Sequence, residues 1–132
     1  MIGVDTNVLV RLFVEDDKRQ TERALRFMKK RSGEDPAFVS SVVLAELYWV
    51  LDRSYGYDDA AIFETFDWLL ESSNIVVERE ELMMVALAVA RKNKADLSDS
   101  IIAAIAAQEG ALHTVTFDLP AAQRIPGMEL LS

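Results

Sequence analysis

Short apolar runs that alternate with longer amphipathic stretches constrain this chain more than any other feature. Ile2-Gly3-Val4 stops at Asp5-Thr6-Asn7, which reads as a buried strand handing over to a capped helix. Residues 15–31 carry Leu25 and Met28 among charges and read as a surface helix. Gly33 to Pro36 is a turn and Ala37 to Ser40 a short strand. Ser40 or Ser41 then caps a helix running to about Tyr55, with Val43, Leu44, Leu47, Val50 and Leu51 at helical spacing and Gly56 at its end. Asp58 opens a further helix through Ile62, Phe63, Phe66, Leu69 and Leu70. Strands are expected at 74–77, 112–117 and 128–131, and helices at 80–92 and 97–109, the latter closed by Gly110.

This order predicts an α/β fold: a three-layer α/β/α arrangement with a mainly parallel sheet flanked by helices. With no linker, repeat or low-complexity stretch, residues 1–132 are expected to form a single domain. Ligands of such sheets gather at the carboxyl ends of the strands. Asp5 ends the first strand, Asp118 follows Thr114–Phe117, and Asp99 opens the helix leading into that strand. The topology is therefore expected to bring these acids to one edge.

The chain has 51% hydrophobic and 27% charged residues, an ordinary globular mix, and no cysteine. Disulfides, zinc ribbons, iron–sulfur sites and thiol nucleophiles are excluded together. No basic leader precedes an apolar core at the start, and the longest apolar run, Ile101 to Ala107, is too short for a membrane span. A cytoplasmic location with no membrane partner is the expectation. The net charge of −8 argues against a nucleic-acid partner. Its distribution does not: half of the 14 basic residues are Lys18, Arg19, Arg23, Arg26, Lys29, Lys30 and Arg31. This stretch is either a phosphate-tracking face, with Arg23, Arg26 and Lys30 as RNA contacts, or a solvated helix face.

Glu46 is surrounded at helical spacing by Val42, Val43, Trp49 and Val50. A carboxylate there needs a cation, either an arginine such as Arg11 or Arg53, or a metal ion. Asp99 lies beside Ile102, Ala103 and Ala106. Here Asp96 or Ser98 reads equally as an N-cap, with Asp99 in the first turn. Asp5 and Asp118 also read as caps, and Pro120 falls in the first turn after Asp118. Capping explains each acid singly but not several acids at strand ends. Clustered carboxylates repel unless neutralised, and oxygen donors without histidine or cysteine select Mg²⁺ or Mn²⁺. Such ions activate water against a phosphodiester.

Other chemistries lack their residues. The five glycines are scattered, so no phosphate loop forms, and no HExxH motif occurs. The single histidine, His113, lies in an expected strand with nothing to orient it as a base. Ser40 and Ser41 have no base and read as caps. Trp49, Phe66 and Trp68 are at helical spacing and are expected in the core, although Trp68 leaves the main apolar face and could meet a second copy.

Four blocks carry a family resemblance: Val4-Asp5-Thr6-Asn7; Ser41-Val-Val-Leu-Ala-Glu46-Leu; Ala95-Asp96-Leu-Ser-Asp99-Ser-Ile-Ile-Ala-Ala; and Thr114-Val-Thr116-Phe-Asp118. In this order and spacing, the chain resembles PIN-domain nucleases, and among them the VapC-type toxins of toxin–antitoxin pairs. The resemblance implies a parallel sheet flanked by helices, Mg²⁺ or Mn²⁺ at an acidic pocket and endonucleolytic cleavage of RNA. It further implies a homodimer and a VapB-like antitoxin that blocks the pocket. Asp5, Glu46, Asp99 and Asp118 match the family's acids. Asp96 is a second candidate for the third position, and Thr6, Asn7 and Thr116 match its small polar helpers. Two other functions compete. An aspartate-nucleophile phosphatase using Asp5 would want an acid where Asn7 stands. A non-catalytic module would be either a receiver-like pocket, lacking here its paired acids and lysine, or a degenerate PIN scaffold, against which the intact acid set speaks.

Overall fold

The computed structural model describes residues 1–132 and divides them into two compact units, Met1–Glu78 and Arg79–Ser132. Helices dominate both, and every strand pairing is parallel, as expected for a PIN-like α/β/α fold.

The first unit runs β1 (Ile2–Gly3), α1 (Thr6–Phe13), α2 (Lys18–Lys29), β2 (Ala37–Val39), α3 (Ser41–Arg53), α4 (Asp59–Glu71) and β3 (Ile75–Val77). The strands lie in the order β1-β2-β3, with Ile2 opposite Ala37 and Ala37 opposite Ile75. Parallel neighbours need a long crossover, and each pair of helices supplies one. Leu9, Val39, Leu44, Leu47, Leu51, Ile62 and Leu69 are fully buried and form the centre of this unit. The α2 helix starts at Lys18 rather than at residue 15, because the Asp17 carboxylate caps it by accepting from the Gln20 amide. Ser40 and Asp58 cap α3 and α4 in the same way.

At the carboxyl end of β3, Glu78 accepts hydrogen bonds from the backbone amide of Ser41, at 2.8 Å, and from its hydroxyl. This carboxylate therefore ties the end of one strand to the first turn of α3. An anion at a helix N-terminus is favoured by the helix dipole as well as by the hydrogen bonds.

The second unit runs α5 (Glu80–Asn93), α6 (Leu97–Gln108), β4 (Thr114–Thr116), α7 (Leu119–Arg124) and β5 (Met128–Leu130), with β4 and β5 paired as a separate two-stranded parallel sheet. Ala95, Ala103, Ala121, Ile125 and Met128 form a buried cluster. The Asn93 side chain donates to the Arg124 carbonyl and the Arg124 guanidinium to the Lys94 carbonyl, which ties the end of α5 to the end of α7. The expected strand over 112–117 shrinks to 114–116. Leu112 and Phe117 are 93% and 82% exposed, so neither adds buried apolar area that would extend the strand. The alternation is also inverted: Val115 points to solvent, and Thr114 and Thr116 are half-buried.

Asp35 carries a pH-sensitive contact of the first unit. Its Oδ1 accepts from the Met1 ammonium at 2.8 Å and its Oδ2 from Arg31 Nη1 at 2.9 Å. The ammonium hydrogen bond, helped by the Arg31 charge and opposed by partial burial, holds the carboxyl below its usual range. A depressed carboxyl stabilises the fold above its unfolded-state pKa and loses that contribution as pH falls through the folded value. Asp35→Asn is expected to melt slightly below wild type near pH 6, and the gap to close below about pH 4. Thermal melts across this range check it; a gap that persists unchanged in strong acid contradicts it.

Candidate functional site

Asp5 follows β1 and is the N-cap of α1, its Oδ1 accepting from the Thr6 amide at 2.7 Å. The residue is exposed, and its second oxygen is uncommitted. Thr6 is buried, and its hydroxyl has no hydrogen-bond partner. Asn7 is exposed, and with Asp5 it lines a groove of about 560 Å³ between α1 and α2. Arg11 from α1 and Gln20, Arg23 and Phe27 from α2 line the same groove. One of the three expected RNA-contacting cations is thus brought to Asp5. Arg26 and Lys30 are exposed and lie outside the groove.

Glu46 lies on the exposed face of α3 and does not line this groove. Neither arginine considered as its partner is placed to neutralise it. The Arg11 guanidinium pairs with Asp16, and Arg53 stacks 4.8 Å over the Trp49 ring. The supposed apolar surroundings are themselves open: Val42 is 67% and Trp49 48% exposed. Trp49 was expected in the core, but it stands on the outward stripe of α3 one turn from Glu46. Phe66 is buried as expected. Trp68 is partly exposed, with its inner edge against Phe13 at 5.4 Å.

The ambiguity around the third acid has a local answer. Asp96, not Ser98, is the N-cap of α6, accepting from the Asp99 amide at 3.1 Å. Asp99 is half-buried in the first turn, and its carboxylate is not the cap. Asp118 is exposed and caps α7 by accepting from the Ala121 amide at 3.0 Å. Its own amide donates to the Thr116 hydroxyl at 3.0 Å, so Thr116 helps to orient the turn that carries the acid. His113 lies 3.5 Å from Glu129 across the β4–β5 pair, a structural contact.

Capping therefore accounts for Asp5, Asp96 and Asp118, as their local sequence allows, but engages only one oxygen of each. Asp5 and Glu46 belong to the first unit, and Asp99 and Asp118 to the second. In neither unit do three acids form a group that could hold a metal ion. By chemistry the donors fit a hard divalent cation: they are carboxylate oxygens, with no thiol, and the one imidazole is engaged elsewhere. The residue missed on the sequence is Asp16. Its role needs Tyr55, whose hydroxyl donates to Asp16 at 2.9 Å across 39 positions of sequence.

Parallel strands, connecting helices and aspartates at the strand-to-helix junctions define an α/β/α fold of the kind that places acids at strand ends. The chain matches the PIN domain family over residues 2–123 and belongs to it. No curated relative matches the chain. PIN domains are generally nucleases that bind nucleic acid and use divalent metal ions. No helix is long and apolar enough to cross a membrane.

The cap at Asp96 can be tested without any assay of activity. Asp96→Ala is expected to cost about 1 kcal/mol of unfolding free energy, whereas Asp96→Asn, an equally good cap, is expected to cost little. Urea unfolding of the two variants beside wild type measures this; equal losses would show that the charge, not the cap, matters.

Proposed function

We propose that this chain is a Mg²⁺- or Mn²⁺-dependent endoribonuclease and acts as the toxin of a VapC-type toxin–antitoxin pair, with residues 1–132 working as one nuclease domain. The observation that carries the reading is the PIN match, which spans all four acidic blocks in order. Asp5, Glu46, Asp99 and Asp118 are the proposed metal-holding residues, with Thr6, Asn7 and Thr116 in support. Three local facts favour this set. Asp5 and Asp118 each keep an oxygen free of the cap they make. Glu46 has no arginine partner. The Asp96 cap engages the Asp99 amide and leaves the Asp99 carboxylate out of the cap.

A bound divalent ion would supply Lewis acidity and a water of lowered pKa for attack on phosphorus. The chain's own part is to fix the carboxylates. The caps tie one oxygen of Asp5 and of Asp118 to the backbone, and the Thr116 hydroxyl restrains the turn before Asp118. Arg23, with Arg26 further along α2 and Lys30 at its C-cap, is proposed to attract the phosphate backbone toward Asp5.

The proposed partners follow from the same chemistry and the same resemblance. A strongly acidic site is matched by an arginine fork, so a VapB-like antitoxin is expected to inhibit by inserting one. A homodimer is proposed, with the exposed side of Trp68 as one contact. The phosphatase reading is not favoured, because Asn7 occupies the place of its second acid.

Cleavage of single-stranded or looped RNA is expected to need Mg²⁺ or Mn²⁺ and to stop in excess EDTA. Asp99→Asn sharpens the test. Removing one of several mutually repelling carboxylates should leave the metal-free protein as stable as wild type or more so. The stabilisation gained on adding Mg²⁺ should shrink, and cleavage should fall by orders of magnitude. Thermal unfolding with and without Mg²⁺, beside a cleavage assay, measures all three. If Asp96→Asn abolishes cleavage and Asp99→Asn does not, the third ligand is Asp96. If neither change matters, this region only starts a helix.

A further inference from the structure

The groove between α1 and α2 has a chemistry of its own. Its lining brings the unpaired guanidinium of Arg23 beside Asp5 on a chain whose net charge is −8, while Arg11 on the same wall is neutralised by Asp16. One open cation inside a concavity offers an anion a local partner that the net charge conceals. The volume, about 560 Å³, falls within the range of roughly 300–1,000 Å³ typical of small-ligand pockets, which suits one nucleotide.

The two arginines are held differently. Arg11 is mostly buried, its Nη1 is bound to Asp16, and Asp16 is held in turn by the Tyr55 hydroxyl. Arg11 Nε is buried with no partner, an uncommon condition for a buried donor and one often found where a side chain is set for function. Arg23 is exposed and makes no ion pair or hydrogen bond, so its whole fork is open to a ligand. Gln20 and Arg23 lie three apart on the flank of α2, between its buried residues, Thr21, Ala24 and Met28, and its outward face. Asn7 adds a second side-chain amide from α1. Planar amides read base edges in unpaired RNA, and an arginine fork matches a phosphate.

The geometry points to this groove as the subsite for the nucleotide of single-stranded RNA next to the cleaved bond: Arg23 binds its phosphate, and Gln20 and Asn7 meet its base. Asp16 and Tyr55 are positioning residues that keep Arg11 at the groove wall. The inference rests on the ribonuclease reading for its location beside the cut, but its test is one of binding.

The affinity of the full chain for a labelled single-stranded RNA oligonucleotide is measured in EDTA and in Ca²⁺, with the RNA verified intact, across a range of salt. Arg23→Gln is expected to weaken binding about tenfold, as loss of a charge-assisted contact would, and to flatten the logarithmic salt slope by about 0.7, the value for one phosphate on a single strand. Arg23→Lys should keep the slope while losing part of the affinity, because a point charge replaces a fork. Gln20→Ala should keep the slope and reduce the discrimination among homopolymers. With a mononucleotide added to ¹⁵N-labelled protein, the side-chain amide signals of Gln20 and Asn7 should shift. Wild-type affinity and slope in Arg23→Gln overturn the subsite. So does a wild-type chain that ignores RNA but binds poly-glutamate through Arg23, which would make the groove a peptide site. Arg23-dependent binding without any metal-stimulated cleavage supports the groove and sinks the ribonuclease reading instead.

Discussion

Most of the helices in this protein begin on a side-chain oxygen. Asp5, Asp17, Ser40, Asp58, Asp96 and Asp118 each accept a backbone amide at the first turn of the helix that follows. The free amides at a helix start must be satisfied, and a short acceptor one residue before the helix does this with little loss of entropy. The consequence reaches beyond stability. Where a single residue separates a carboxylate cap from the strand before it, as at Asp5 and Asp118, the cap leaves a second oxygen near the strand's carboxyl end. The local rule that starts the helix thereby delivers an acid to the place where α/β folds bind ligands.

The same arrangement resolves the conflict between an acidic chain and a phosphate-bearing partner. Net charge is a sum over the whole surface, but a ligand meets the local field. Helix α2 turns its buried residues toward α1, and the residues flanking that stripe form the wall of the groove. Arg23 reaches the Asp5 groove for this reason, whereas Arg26, three residues further, does not. The loop between the helices then serves the groove through Asp16, which holds Arg11 and is held by Tyr55. Glu46, on an exposed stripe with Val42 and Trp49, shows the opposite case, an acid without a neutralising side chain.

What could be read in advance follows the range of the interaction. The places of most strands, the cap at Asp58 and the choice offered between Asp96 and Ser98 depend on residues within about four positions of each other, so propensity and spacing suffice. The extent of the strand at 114–116 could not be read this way, because its apolar flanks, Leu112 and Phe117, stay in solvent. The same holds for Trp49, whose place in a helical pattern suggested burial but which is 48% exposed. Position on a helix gives an azimuth, and only the packing partner decides whether that azimuth is inside.

The sequence alone determined the class of fold and most of the helix starts, α2 excepted, because hydrophobic period and capping are local and nearly independent of the rest of the chain. It also contained the four blocks in order that place the chain among PIN domains. The tertiary structure decided which charges are neighbours. That Arg11 binds Asp16 rather than Glu46, that Glu78 ties down Ser41 across 37 positions, and that Arg23 shares a groove with Asp5 were all settled there. Most of these contacts join segments well separated in sequence, and an ion pair or a groove exists only where packing brings the two side chains within a few ångströms.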